Sequence, residues 1–108
     1  MIAIVFQKTA QIAALCRRFS IQRLEVFGPA VKGTFNEEKS DLDFIVDLGE
    51  YEPHVADRFL DFADALEKLL GYRVDLITEQ SITSPYFQRS VNAAREWVYE
   101  ARDGKAVA

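Results

Sequence analysis

Cysteine is almost absent from this sequence of 108 residues, which contains a single one, Cys16. A lone thiol excludes an internal disulfide and a zinc site built from several cysteines. We therefore expect Cys16 to be a small buried apolar residue in a reducing compartment. Long apolar runs are also lacking, and no basic region precedes the short apolar start of the chain. The sequence thus predicts no membrane span and a cytoplasmic location.

A surplus of positive charge is missing as well. The chain has 13 Lys and Arg residues against 17 Asp and Glu residues, for a net charge of −4. Nucleic-acid-binding domains more often carry a basic surplus or stripe, so we expect no direct binding to a polynucleotide. A nucleotide that is carried with a metal ion remains compatible with an acidic protein. The length and the lack of repeats or linkers predict one domain over residues 1–108.

Hydrophobic periodicity predicts a chain that switches between helices and strands. Apolar residues recur at helical spacing over residues 9–19 and 55–70, so we expect a helix in each segment. Short runs rich in branched and aromatic residues predict strands over residues 24–27, 42–48 and 73–78. This order predicts an α/β (α+β) fold, in which helices pack on a small mixed sheet of about three to four strands.

A last helix is predicted to begin at Ser84, with Pro85 at its first position, and to end near Gly104. It would contain a set of apolar and aromatic residues, namely Tyr86, Phe87, Val91, Trp97, Val98 and Tyr99. At helical spacing such aromatics are usually part of a core. If they are exposed, they indicate an interface with a partner, and the sequence leaves both interpretations open.

Three aspartates interrupt the predicted strands. Residues two apart in a strand share a face, so Asp41 and Asp43 lie side by side while the intervening Leu42 faces the core. Two carboxylates at this distance repel each other unless a cation lies between them, and hard oxygen ligands favour Mg²⁺ or Mn²⁺. Asp75 in the strand 73–78 joins them if the two strands are neighbours. The alternative is that all three aspartates lie at strand ends and face water.

Glycines bracket the turn that follows the first predicted strand. Gly28 and Gly33 are five residues apart, and glycine lets a backbone approach a ligand closely or adopt a positive φ. Backbone N–H groups in such a turn can hold phosphate oxygens. Lys32 would add positive charge to this turn, and Ser40 would add a hydroxyl beside the aspartates.

The combined pattern resembles the minimal nucleotidyltransferases of the DNA polymerase β superfamily. Their pattern is a glycine-serine pair, a basic residue, a second glycine, a Ser-Asp-x-Asp motif and a carboxylate on a later strand. The matching residues here are Gly28, Lys32, Gly33, Ser40, Asp41, Leu42, Asp43 and Asp75. The resemblance extends over roughly residues 6–102 and implies a fold like the polymerase β palm.

The resemblance also implies an activity and a partner. Asp41, Asp43 and Asp75 would be catalytic and would hold Mg²⁺ or Mn²⁺, and the turn from Gly28 to Ser40 would bind the nucleoside triphosphate. The reaction would move NMP, with AMP the expected group, from ATP to a hydroxyl and release pyrophosphate. Members of this small class are typically paired with a HEPN-domain toxin and act as its antitoxin.

Two positions depart from the family pattern. Pro29 stands where serine is usual, which removes a hydroxyl and a backbone N–H from the predicted phosphate turn. Each lost hydrogen bond to a charged phosphate would cost about 1.5–3 kcal/mol. Lys32 stands where arginine is usual, which keeps the charge but loses the bidentate fork. The sequence therefore leaves a second hypothesis, a non-catalytic module that neutralises a partner by docking, and it leaves open whether the chain forms a homo-oligomer.

Overall fold

Helices and strands alternate along the chain in the computed structural model, which describes residues 3–28, 41–50 and 52–101 and the backbone of residues 105–106. The helices are α1 (Ala3–Gln7), α2 (Thr9–Arg18), α3 (Val55–Leu70) and α4 (Pro85–Asn92), with a 3₁₀ turn at Glu79–Ser81. The strands are β1 (Arg23–Phe27), β2 (Leu42–Asp47), β3 (Val74–Thr78), β4 (Arg95–Glu100) and the short β5 (Lys105–Ala106).

The strands form one mixed sheet in the order β3-β2-β1-β4-β5. Strand β1 lies at the centre and pairs antiparallel with β2 and with β4. Strand β3 pairs parallel with β2, because the 16-residue helix α3 returns the chain to the end of the sheet at which β2 began. The predicted fold class, a small mixed sheet with helices packed on it, is confirmed, and the two-residue β5 extends the sheet beyond the expected three to four strands.

The core lies between one face of this sheet and helices α2 and α3. Strict alternation along β2 sends Leu42 and Phe44 into this core, where both are fully buried, as the sequence predicted. Helix α3 contributes Phe62 and Leu66 from a single face. Cys16 on α2 packs in the same cluster, and burial raises the pKa of its thiol to about 12.

The opposite face of the sheet carries a second and smaller apolar cluster. Phe27, Ile45 and Val91 are buried there, with Ile77 and Ile82 packed against them. Because Val91 belongs to α4, this helix covers part of the second face. The chain is therefore layered on both sides of its sheet, with most of the core on the side of α2 and α3.

The prediction of one long C-terminal helix is wrong. Ser84 caps α4 and Pro85 opens it as expected, but the helix ends at Asn92 and the chain then forms β4. Without β4, strand β1 would be an unpaired edge, and pairing overrides the helical spacing of the apolar residues. The register shifts between Leu24 and Glu25, so Val98 and Tyr99 are both buried although they are adjacent in the strand.

The four aromatic residues assigned to that helix lie in three environments, and Trp97 on β4 is half-buried. Tyr99 on β4 is buried and belongs to the main core, as the core interpretation predicted. Tyr86 and Phe87 on α4 are instead exposed, with 79% and 42% of their surface accessible to solvent. These two side chains therefore give α4 an apolar outer surface. Among the helices that the described residues form, none is long and apolar enough to cross a bilayer.

Arg58 on α3 fastens two loops to the helical layer. Its Nη1 atom donates hydrogen bonds to the carbonyl oxygens of Phe19 at 3.2 Å and Ser20 at 3.0 Å, and its Nη2 atom donates to the carbonyl oxygen of Leu48 at 3.1 Å. Ser20 has a left-handed φ of 56°, which is strained for a residue with a side chain. The guanidinium thereby holds the α2–β1 turn against the end of β2.

We expect Arg58→Ala to lower the free energy of unfolding by about 2–3 kcal/mol, because it leaves partly buried carbonyl groups without their charged donor. The midpoint of urea unfolding, at an unchanged slope, measures this loss. Lys68→Ala is the matched control, since Lys68 and Asp64 form an ion pair on the solvent side of α3 and both are largely exposed. The control should leave the midpoint nearly unchanged. Equal shifts for both variants would contradict the structural role of Arg58.

Candidate functional site

Two of the three predicted site carboxylates meet where β2 and β3 run side by side. In the parallel register Asp43 lies directly opposite Asp75, and their carboxyl groups are within hydrogen-bonding reach of each other. The alternation that buries Leu42 and Phe44 on one face places Asp43 on the other. The sequence analysis expected Asp75 to join the other aspartates only if its strand neighbours theirs, and β2 and β3 are neighbours. We call Gly28, Asp41, Asp43 and Asp75 together the aspartate site.

Asp43 is the electrostatically perturbed member of the aspartate site. Its side chain is half-buried, and this burial is the main cause that raises its pKa from 3.8 to about 6. The negative charges of Asp75 and Asp41 raise the pKa further, and so does the hydrogen bond to Asp75. Near neutral pH the site therefore concentrates negative charge that a cation would relieve.

Gly28 lies against Asp43 at the end of β1. It follows Phe27, which pairs with Asp43 across the antiparallel ladder, and it has a left-handed φ of 72°. A Cβ atom at this position would lie 2.6 Å from the Oδ2 atom of Asp43. Glycine thus permits both the backbone turn and the close approach of the chain to this carboxylate. The left-handed turn at Gly28 agrees with the sequence analysis, and a role in binding phosphate stays a prediction.

Asp41 has a different partner. Its Oδ1 atom accepts a hydrogen bond from the Nε atom of Arg73 at 3.1 Å, and the two residues form an ion pair beside the start of β2. Its charge is still close enough to raise the pKa of Asp43. Across residues 3–28, 41–50 and 52–101, no three acidic, histidine or cysteine side chains are gathered tightly enough to hold a metal ion. Asp43 and Asp75 are thus adjacent, whereas the side chain of Asp41 pairs with Arg73 instead of joining them.

The donor chemistry of the aspartate site nevertheless fits a hard divalent cation. Asp43 and Asp75 offer carboxylate oxygens, which Mg²⁺ and Mn²⁺ prefer as protein ligands. Burial first, and then the charges of Asp75 and Asp41, raise the pKa of Asp43, and a bound cation would favour its ionised form. Four further predicted site residues, Pro29, Lys32, Gly33 and Ser40, lie outside the described residues, so their roles stay predictions.

Residues 9–98 match the family model described as a nucleotidyltransferase domain. The chain belongs to this family. A protein adenylyltransferase of Thermococcus cleftensis, MntA, is 38% identical over 76 residues, which cover 70% of this chain and 74% of MntA. The resemblance stated from the sequence motifs is therefore confirmed.

Solved structures give the same assignment of fold to this nucleotidyltransferase domain. A toxin–antitoxin crystal structure with AMP-PNP aligns with a TM-score of 0.65 at 22% identity, over 89% of this chain and 77% of that chain. The complex of a tri-AMPylated HEPN toxin with an MNT antitoxin from Shewanella oneidensis aligns at 0.59 and 19% identity, over 90% and 73% of the two chains. At these identities the likeness concerns the fold.

An ionic cluster that the sequence analysis missed joins β1, β4, the 3₁₀ turn and the end of α4 in the nucleotidyltransferase domain. Arg95 on β4 donates hydrogen bonds to Glu25 on β1, to Glu79 in the 3₁₀ turn at 2.9 Å and to Asn92 at the end of α4 at 2.8 Å. The hydrogen bond to Glu25 is the main cause that raises the pKa of the Arg95 guanidinium. Because the cluster joins residues that are 16 and 70 positions apart, local sequence patterns gave no signal for it.

Arg73 is the second residue that the sequence analysis missed. It precedes Asp75 by two positions, so the same alternation that was applied to Asp41 and Asp43 would have given it the face of Asp75. An arginine at that spacing is the signal that could have identified it. Only the structure, however, reveals that it lies beside Asp41, through the hydrogen bond between their side chains.

We expect Gly71→Ala of the nucleotidyltransferase domain to lower the unfolding free energy by about 1–2 kcal/mol, the strain of a left-handed residue. Gly28→Ala should cost more, because its added Cβ atom would also overlap the Asp43 carboxylate. Gly71 is the matched control, because it has a φ of 77° at the end of α3 and an added Cβ atom there would meet nothing within 4 Å. Only Gly28→Ala should displace the carboxylate of Asp43. Carboxyl ¹³C NMR titration would detect this as a change in the pKa of Asp43, and identical titration curves in both variants would contradict the contact.

The pKa of Asp43 sets the pH dependence of stability in the metal-free protein. Because folding raises this pKa from 3.8 to about 6, the folded state binds the proton more tightly than the unfolded chain. The resulting stability is present below about pH 4 and is lost as the pH rises through about 6.

Because asparagine does not ionise, Asp43→Asn should not lose this stability as the pH rises. Its unfolding free energy at pH 7 should exceed that of the wild type by on the order of 1 kcal/mol, after allowance for solvent screening of the half-exposed group. Urea unfolding at several pH values in the presence of a chelator measures the effect. Asp61→Asn, at an exposed position on α3, is the charge-matched control and should retain the wild-type pH profile. An Asp43→Asn protein with that same profile would contradict the assignment.

Proposed function

We propose that this protein is a metal-dependent nucleotidyltransferase that moves AMP from ATP to a hydroxyl of a protein partner and releases pyrophosphate. The observation that carries the proposal is the meeting of Asp43 and Asp75 on parallel strands, with the backbone of Gly28 against Asp43. Paired carboxylates beside a glycine at which the chain turns suit a reaction in which charged phosphates must be held near a divalent cation. The family membership of the chain supports the same reaction class.

Asp41, Asp43 and Asp75 are the proposed ligands of Mg²⁺ or Mn²⁺. When bound, such ions would stabilise the charge of the attacking and leaving oxygens during an in-line displacement. Asp75 would also accept the proton of the acceptor hydroxyl, because its carboxylate is exposed and an acceptor can reach it. Asp43 would hold its position through the ladder contact with Asp75 and the close approach of Gly28.

The nucleotide would lie between the aspartates and the turn that begins at Gly28. The left-handed φ of Gly28 turns the chain at the end of β1, directly before the residues proposed to bind the phosphates. Lys32, Gly33 and Ser40 are the further residues proposed to bind it. Their backbone N–H groups, the ammonium group and the hydroxyl match the needs of a triphosphate.

The proposed acceptor is a HEPN-domain protein, which this chain would neutralise as its antitoxin. Two lines of similarity support this partner. MntA of T. cleftensis is a protein adenylyltransferase, and the S. oneidensis complex joins an MNT antitoxin to a HEPN toxin that carries three AMP groups. An AMP group on the toxin is the product that the proposed reaction would leave.

A docking module without catalysis is the second candidate function. Pro29 favours it, since proline has no backbone N–H to offer a phosphate. The exposed side chains of Tyr86 and Phe87 also suit a protein contact. In this case the chain would neutralise its partner by binding alone. Magnesium-dependent binding of ATP at micromolar concentration would count against the docking module.

We expect the wild-type protein, incubated with Mg²⁺, α-labelled ATP and a HEPN-domain protein as the proposed partner, to transfer label to that partner. Asp43→Asn should reduce transfer by at least about 100-fold, since even residues that only orient metal ligands contribute 10–100-fold. Asp61→Asn should transfer label at the wild-type rate. The enzyme proposal fails if no label is transferred while wild-type and Asp43→Asn proteins neutralise the partner equally, and the docking module would then stand.

A further inference from the structure

Arg73 lies at the edge of the aspartate site and is held there by the strand ladder. Its carbonyl oxygen accepts the N–H of Leu42 at 2.8 Å, which ties the residue to the start of β2. Its Nε atom reaches the Oδ1 atom of Asp41 at 3.1 Å. Asp75 follows two positions later and pairs with Asp43. The backbone of Arg73 is therefore fixed next to the carboxylates that the proposed function assigns to the metal.

The ion pair of Arg73 and Asp41 is open to exchange. The side chain of Arg73 is 81% exposed and that of Asp41 is 39% exposed. Ion pairs in such an environment are weak, because water screens the charges and both side chains lose freedom when they pair. The backbone contact would survive the loss of the pair, so the guanidinium can change partner while its Cα atom stays in place.

A divalent cation and the guanidinium compete for the same carboxylate. Both are positive, but a doubly charged ion that also binds Asp43 is attracted to the carboxylate of Asp41 more strongly than the guanidinium is. The guanidinium would then lie free beside the aspartate site. Its fork of N–H donors matches phosphate oxygens in geometry and in charge.

We propose that Arg73 is a phosphate-binding residue of the nucleotide site. Its guanidinium exchanges the carboxylate of Asp41 for a phosphate oxygen of the nucleotide when Asp41 takes up the divalent cation. This inference rests on the proposed function and adds a residue to it. Without metal and nucleotide, Arg73 pairs with Asp41, which is a proposed metal ligand, and with both bound Arg73 contributes to nucleotide binding.

This exchange differs from a purely structural ion pair in the sign of its effects. If Arg73 only positioned Asp41, its removal would weaken the binding of metal and of nucleotide together. If it exchanges partners, its removal frees Asp41 and strengthens the binding of metal alone, while nucleotide loses a donor. Two affinities that change in opposite directions therefore distinguish the exchange from a positioning role.

Calorimetric titration of wild-type and Arg73→Gln proteins tests this inference with two probes, Mn²⁺ alone and a non-hydrolysable ATP analogue in saturating Mg²⁺. We expect Arg73→Gln to bind Mn²⁺ alone more tightly by a few-fold and the analogue more weakly by about tenfold, equivalent to about 1.4 kcal/mol. Arg73→Lys should give an intermediate affinity for the analogue, because lysine keeps the charge without the fork.

Lys68→Gln is the matched control, because Lys68 also forms an exposed ion pair with an aspartate and the net charge changes equally. It should bind both probes as the wild type does. Parallel losses for both probes in Arg73→Gln, unchanged affinities, or an equal loss in Lys68→Gln would each overturn the role of Arg73. A wild-type protein that binds neither probe would instead overturn the proposed function itself.

Discussion

The parallel pairing of β2 with β3 is the constraint on which the aspartate site depends. Its register sets Asp43 opposite Asp75, and the same register keeps Leu42 and Phe44 buried beneath α3. A slip of one residue would exchange the two faces of a strand. Each large apolar side chain moved to water would then cost about 1.5–3 kcal/mol. Core packing on one face therefore fixes the geometry of the carboxylates on the other.

The same architecture makes the site electrostatically unfavourable when no cation is present. Strand pairing brings two carboxylates together, and partial burial raises the pKa of Asp43 to about 6. Gly28 intensifies the crowding, since its missing Cβ lets the chain approach Asp43. Arg73 offsets part of the negative charge through Asp41. The fold thus maintains a concentration of negative charge that local preference would disperse, which is typical of functional sites.

Sequence patterns predicted the parts of this molecule that depend on local spacing. The apolar stripe of α3 gave its bounds, and alternation in β2 gave the faces of Asp43 and Leu42. Strand β4 was mistaken for helix because its pairing with β1 joins residues about 70 positions apart. The contact of Arg73 with Asp41 was not predicted for the same reason, because it depends on the pairing of β2 with β3. Long-range pairing is the information that a single sequence does not carry.

Cys16 gives this nucleotidyltransferase domain a natural reporter of its own opening. Its thiol is fully buried in the main core, and a pKa of about 12 keeps it protonated at neutral pH. A thiol reagent can react only after the core around Cys16 opens. The rate of modification in native buffer would therefore measure the free energy of that opening. Because the chain has no other cysteine, every substitution at the aspartate site can be compared on this scale without an added label.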